Sequence, residues 1–365
     1  MKSLTITFHA SHNYGSMLQA FALQQTLNHI VGDNEILDFR TMKQQRMMRI
    51  ITYRCRLGPI LKDISHLFFY KQFKKRHAMF EEFMSKYLRT TVVTYCTLEE
   101  LQTVNLDYDL FVAGSDQIWN PRPEDFDWAY YLPFAKGRKV SYAASMGPRC
   151  VLTKKEQEKI EFCLKDFYAI CVREQGTKDI IEKISTDFDV KINIDPVFLL
   201  KANEWSNKLP ITGNKNGKSL FFYTLFADKE MIDMVKAISK KTGLSVITPY
   251  FSNINDIFAP FKKQLASGPI EFLQLLTNAE LVVTSSFHGT AFSILFHKCF
   301  VSLRGLSDNR IGNLLRLTGM EDCAISSVTD VDKVLAKAKP DWAMIDVVIE
   351  QERQKSILYL QNCIK

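Results

Sequence analysis

No pair of cysteines in this sequence has CxxC spacing, and the eight cysteines (55, 96, 150, 163, 171, 299, 323 and 363) are scattered. That scatter leaves a zinc site without its ligand spacing. Cys171 in YAICVRE and Cys299 in HKCFVSL sit in apolar, strand-like runs, as buried free thiols do in a reducing compartment. No apolar stretch approaches the ~20 residues needed to cross a bilayer. The amino terminus, MKSLTITFHASHNYG, has one lysine and too short an apolar run for a secretory signal, so a cytoplasmic location is expected. Internal repeats and low-complexity tracts are missing too. Acids are nearly absent from one segment: between Arg40 and Arg76, eleven Lys or Arg face a single carboxylate, Asp63. The basicity of the chain, +7 overall, therefore belongs to that segment, and the remainder is slightly acidic.

What is present is the make-up of a globular protein: 365 residues, 46% hydrophobic, with 26 phenylalanines. At roughly 100–200 residues per domain, that length predicts two domains. LTITF (4–8) reads as a strand, the stretch from Ser16 follows helical spacing, and EILDF (35–39) reads as a second strand. Residues 41–90 break this rhythm with a basic, Met- and Phe-rich, helix-compatible insertion. Strands resume at 109–114, 139–145, 168–173 and 190–194, with helices at 153–166 and 175–184. The Pro-, Gly- and Asn-rich stretch 195–218 reads as a crossover. A second series follows: strands at 219–226, 245–251, 280–285 and 299–303, and helices at 229–243, 269–278, 289–297, 309–320 and 343–363. Alternating strands and helices imply parallel sheets covered on both faces. The expected fold is α/β, two Rossmann-like lobes facing a cleft: 1–200 with the basic helical insertion, 201–340, and a terminal helix over 341–365.

Open α/β sheets bind ligands beyond the carboxyl ends of their strands, and four loops there carry polar residues that a core does not need. In HASHNYGSMLQ (9–19), Asn13, Gly15 and Ser16 stand at a helix start that either offers amides to an anion or is an ordinary cap. In VAGSDQIWNP (112–121), Asp116, Gln117 and Trp119 combine a carboxylate, an amide and an indole, a set suited to sugar; the alternative is an Asp-led turn beside a core tryptophan. Arg173 closes a strand and would either grip an anion through its planar fork or pair with Glu174 or another acid. In VVTSSFHGTAFS (282–293), Ser285, Ser286, His288, Gly289 and Thr290 occupy a strand-to-helix turn. A titratable ring between serines and a glycine at that edge points to function, whereas His297 on the next apolar face reads as packed. Arg304 and Arg310 flank a loop after the last strand of this lobe and would add positive charge. Together these loops suit a phosphate-bearing donor.

NYGSMLQAFALQ (13–24), VAGSDQIWNP, YAASMG (142–147), VRE (172–174), DPVFLL (195–200) and SSFHGTAFS (285–293) resemble, in order, the motifs of the polysaccharide pyruvyl transferase family. The resemblance implies a fold similar to GT-B glycosyltransferases, with phosphoenolpyruvate as donor substrate, no cofactor and no metal. It also implies transfer of pyruvate to a glycan or lipid-linked oligosaccharide acceptor, making a ketal or an enol ether. His288 would contact the donor phosphate and act as general acid, and Arg173 would neutralise donor charge. Ser286 stands where the resemblance implies an arginine two residues before the motif histidine, so Arg304 or Arg310 would supply that cation. Asp116 is the candidate base for the acceptor hydroxyl. The same folds and motifs would also serve a GT-B-type glycosyltransferase using a sugar nucleotide, or a non-catalytic glycan-binding relative.

In the basic insertion, Arg46, Arg49, Arg54 and Arg56 alternate with Met47, Met48, Ile50 and Ile51. That pattern suits peripheral contact with an anionic membrane at the inner face of the cell membrane, or a solvated helical face. No recognised nucleic-acid module accompanies the charge, so nucleic acid is not an expected partner.

Overall fold

The computed structural model describes residues 1–50, 67–148, 150–212, 218–251, 257–337 and 340–365. Ile51, Arg54 and Arg56 of the basic segment lie outside them. Six parallel strands form the first sheet: β1 (Lys2–Ile6), β2 (Asp33–Ile36), β3 (Leu110–Ala113), β4 (Arg138–Ser141), β5 (Phe167–Val172) and β6 (Val190–Ile192), in the order β2-β1-β3-β4-β5-β6. The second contains β7 (Ser219–Tyr223), β8 (Ser245–Thr248), β9 (Lys262–Lys263), β10 (Leu281–Thr284), β11 (Phe300–Leu303) and β12 (Ala324–Ile325), in the order β12-β11-β10-β7-β8-β9. Numbered from its own first strand, that second order is 3-2-1-4-5-6, the order of dinucleotide-binding folds. No helix among the described residues is long and apolar enough to cross a membrane.

Central strands of a sheet covered on both faces read as unbroken apolar runs. β3, LFVA, is such a run: Phe111 and Ala113 join one core cluster while Leu110 and Val112 join another. Alternate side chains of one strand thus seed the cores on both faces. Helix ends follow capping chemistry. Asp228 accepts from Met231 N at 2.9 Å to start the helix Lys229–Thr242, and Gly243 ends it with φ +70.

The described residues divide into two compact units: 1–48, 84–200 and 349–365 in the first, 49–83 and 201–348 in the second. The expected single insertion at 41–90 is therefore split. Thr41 caps the helix Met42–Met47, whose Gln44 donates to the Tyr130 hydroxyl at 2.8 Å in the first unit. Phe73 instead buries itself with Phe251 and Leu265 in the second. The terminal segment is split as well. Within the helix Trp342–Ile364, Arg353 Nε donates to Phe198 O at 2.6 Å and Tyr359 Oη to Ser141 O at 2.9 Å, which ties its later turns to the first unit. Residues 195–218, read as aperiodic, include a helix, Ala202–Lys208, that buries Trp205. The two-residue edge strands β9 and β12 escape the sequence pattern altogether.

Candidate functional site

In the first sheet, chain order reverses between β1 and β3, so the loops after these two strands flank the point where a ligand crevice opens. Asn13 caps the helix Tyr14–Val31, its side chain accepting from Gly15 N at 2.9 Å and Ser16 N at 3.2 Å. Those amides are thereby used, and the capping reading of Asn13 and Gly15 replaces the anion-binding one. Ser16 faces the other loop: its hydroxyl donates to Asp116 Oδ2 at 2.5 Å, while Gln117 N donates to Oδ1 at 2.8 Å. Asp116 is only 6% exposed and holds φ +77, a left-handed conformation costing a non-glycine residue about 1–3 kcal/mol. Strain of that kind persists where the surroundings over-determine it. Here they do so through Asp116 O, which accepts from Ser145 N at 3.0 Å.

Behind Asp116 lies a buried ionic cluster. Arg173, its side chain 2% exposed, donates through Nη1 to Asp195 Oδ2 at 2.8 Å, and its Nε lies 3.4 Å from Glu174 Oε2. Burial works against its charge, but Asp195, Glu174 and Asp116 outweigh that and hold the guanidinium protonated more firmly than usual. Glu174 in turn accepts from Ser145 Oγ at 2.7 Å and from the Thr177 hydroxyl. Arg173 is therefore an internal counter-ion that positions this rim, the ion-pairing alternative of the sequence reading, and not an exposed grip for an anion. Gly147 closes the cluster: a Cβ there would stand 2.5 Å from Gln117 Oε1. Trp119 is wholly buried, stacked on Tyr131 with centroids 5.0 Å apart and donating to Tyr130 O at 3.1 Å. It is a core tryptophan, so no sugar stacks on it. Gln117 stays half-buried at the rim and accepts from Asn120 Nδ2 at 3.3 Å.

The second sheet reverses between β7 and β10, and a hydrogen bond joins the two loops there: Thr224 Oγ1 and Ser285 Oγ are 2.6 Å apart. Ser286 caps the helix Phe287–Leu295, its hydroxyl 3.4 Å from Gly289 N. Thr290 Oγ1 donates back to Ser286 O at 3.1 Å. Gly289 is required by its neighbour, because a Cβ there would meet Thr284 Oγ1 at 2.3 Å. The helix thus starts pressed against β10. That places His288, 8% exposed, in the first turn of a helix at the switch point. His297 has left the apolar face expected for it. It lies exposed, stacked on Trp342 and 2.8 Å from Asp346.

The two arginines expected to supply donor-binding charge are both engaged. Arg304, with φ +54, pairs with Asp228 at 2.5 Å and with Glu230, and Arg310 pairs with Asp308 at 2.5 Å. Each neutralises a loop carboxylate. Other residues of the rims were not singled out from sequence. Asp195 and Ser145 lie inside the motif stretches, so their signal was there; Thr224 carried none. Asp125 was also missed. It is half-buried in the loop after β3, and its carboxyl is pushed up by burial and by the nearby charges of Asp116 and Glu124. His9 and Asp38, at the ends of β1 and β2, form a further buried pair at 2.9 Å.

Two parallel six-stranded α/β units, each with hydroxyls and titratable groups gathered where its strand order reverses, give a fold of GT-B type. UDP-N-acetylglucosamine 2-epimerase from Rickettsia bellii is similar over 99% of this chain and 97% of its own, with a TM-score of 0.50 and 9% identity. The Staphylococcus aureus MnaA–UDP co-structure is similar over 99% and 98%, with a TM-score of 0.49 and 11% identity. No curated protein sequence matches the chain. The sequence profile of polysaccharide pyruvyl transferases does match, over residues 13–305, and the chain belongs to that family. It is accordingly a transferase.

Proposed function

We propose that the protein transfers pyruvate from phosphoenolpyruvate to a sugar hydroxyl of a bacterial surface polysaccharide or its lipid-linked precursor. The observation that carries this reading is the family match, which includes the Ser285–Thr290 turn at the second switch point. In the net reaction, the C2–O bond to phosphate is exchanged for a C2–O bond to the sugar. Phosphate leaves with the bonding electrons and takes a proton, for which His288 is the candidate donor; the acceptor hydroxyl releases its own proton in exchange. That product is an enol ether. A second hydroxyl adding across its double bond, with its proton going to C3, closes a ketal. Acid catalysis of this kind is worth ~10²–10⁴-fold.

The two rims differ in charge. The first rim holds Asp116, Asp125, Glu174 and Asp195 against Arg173 and so favours a neutral, hydroxyl-rich acceptor over a trianion. The second rim offers hydroxyls, an imidazole and a helix start, groups suited to a phosphate.

The basic segment supports contact with anionic membrane. Phe68, 82% exposed, and Leu67 stand beside exposed Lys71, Lys74 and Lys75, and Met47 beside Arg46. Each cation contributes about 1 kcal/mol near such a surface. Two observations favour a second reading, a sugar-nucleotide donor: the second sheet has the dinucleotide-binding strand order, and its rim arginines are already paired.

Melting curves separate the donors. A ligand bound at 100 times its Kd stabilises the native state by about 2.7 kcal/mol. A rise with phosphoenolpyruvate supports pyruvyl transfer; silence to it, with a rise for UDP-sugars, overturns that reading.

A further inference from the structure

The second unit carries a recess that the chemistry above does not use. It is an open groove of about 420 Å³ where β8 and β9 begin, beside the last turns of the helix Lys229–Thr242. That is the edge of the sheet opposite the Thr224–Ser285 rim. Lys236 and Lys240, one helical turn apart, line it together with Lys262, the first residue of β9. Val246 and Phe261, both buried, supply its apolar lining, and Ser245 and Ser239 line it as well.

Like charges at i and i+4 repel. Asp233, 3.6 Å from Lys236, is the carboxylate that offsets them, while among the described residues Lys240 and Lys262 make no ion pair. A helix C-terminus attracts cations and edge strands carry lysine. Either tendency accounts for one of these residues; neither accounts for three exposed lysines lining one groove. The volume lies within the roughly 300–1,000 Å³ range of small-molecule sites, and lysine binds phosphate as a point charge. We propose that this groove binds the phosphate or diphosphate group of an anionic ligand whose apolar part rests on Val246 and Phe261. The source of that group is a soluble organic phosphate or a lipid headgroup, and two arms of one experiment distinguish them.

The full chain is titrated with inorganic pyrophosphate by calorimetry, and sedimented with phosphatidylcholine vesicles containing phosphatidylglycerol. Lys240→Ala/Lys262→Ala is compared with Lys154→Ala/Lys155→Ala, which removes equal charge from an exposed helix start of the first unit. The expected result is at least about tenfold weaker binding for the groove variant alone, as loss of charge-assisted contacts implies. A loss in the pyrophosphate arm assigns a soluble ligand; a loss confined to the vesicle arm assigns a headgroup. Equal behaviour of the two variants in both arms, or no binding by the unaltered protein in either, overturns the proposal.

Discussion

Arg173 and Asp195, 22 residues apart, meet at 2.8 Å with both side chains sealed from solvent in the first unit. Removing one partner of such a pair leaves an uncompensated buried charge, at a cost of about 3–5 kcal/mol. Asp195→Ala is expected to lower the urea midpoint accordingly. Arg173→Lys, which keeps the charge and loses the planar fork, should fall between it and the unaltered protein. Unchanged midpoints would return Arg173 to the role of an exposed donor ligand.

His288→Gln should lower phosphate release from phosphoenolpyruvate by ~10²–10⁴-fold, the range of general acid catalysis. The melting temperature should change little, since Ser286 and Gly289 keep the helix start. Steady-state release with a glycan acceptor present measures the first quantity, and calorimetry the second.

Asp38 gives acid sensitivity of defined sign. Burial raises its pKa, but hydrogen bonds from His9, Arg40 and Thr94 outweigh this and hold the carboxyl well below the usual range. A carboxyl depressed in the folded state contributes stability above its unfolded pKa of about 4 and loses it as pH falls further. Asp38→Asn should therefore be less stable at pH 7, and its urea midpoint should decline less steeply below about pH 4 than that of the unaltered protein.

Asp125 has the opposite sign. Burial and the charge of Asp116 raise its pKa, so folding binds its proton more tightly and stability falls as pH rises through the raised value. Asp125→Asn should raise the melting temperature at neutral pH, with the gain vanishing below about pH 4. Paired melts at pH 3.5 and pH 7 decide it.

Leu67→Ser/Phe68→Ser removes exposed apolar surface beside Lys71, Lys74 and Lys75. Partition onto phosphatidylglycerol vesicles should drop while partition in high salt, where charge is screened, converges for both proteins. An unaltered partition coefficient removes this patch from the membrane contact.

The sheets were legible because β3 (LFVA) is an unbroken apolar run and β10 (LVVT) is apolar up to its last residue, and a run buried on both faces has a strong signal. The two-residue strands β9 and β12 were not, since pairing at an edge needs only backbone groups. At the site, position was legible and role was less so. Asp116, Arg173, Ser285 and His288 do stand at strand ends, but whether an arginine faces solvent depends on which carboxylates the fold delivers. Asp195 reaches Arg173, and Asp228 reaches Arg304 across 76 residues. Trp119 shows the same limit: the indole's partner, Tyr130 O, belongs to a turn with no sequence period.

Residues 349–365 complete the first unit, with Leu360 and Cys363 packed beside Val112 and Val140, and Arg138 Nη1 donating to Cys363 O at 2.7 Å. A ribosome delivers these residues only after those of the second unit. The amino-terminal half must then wait, one flank of its interior uncovered, while some 150 further residues are synthesised, a delay of roughly 10 s or more at ~5–20 residues per second. A nonsense codon near position 348 would leave the second unit's own sequence whole and strand the first in that immature state.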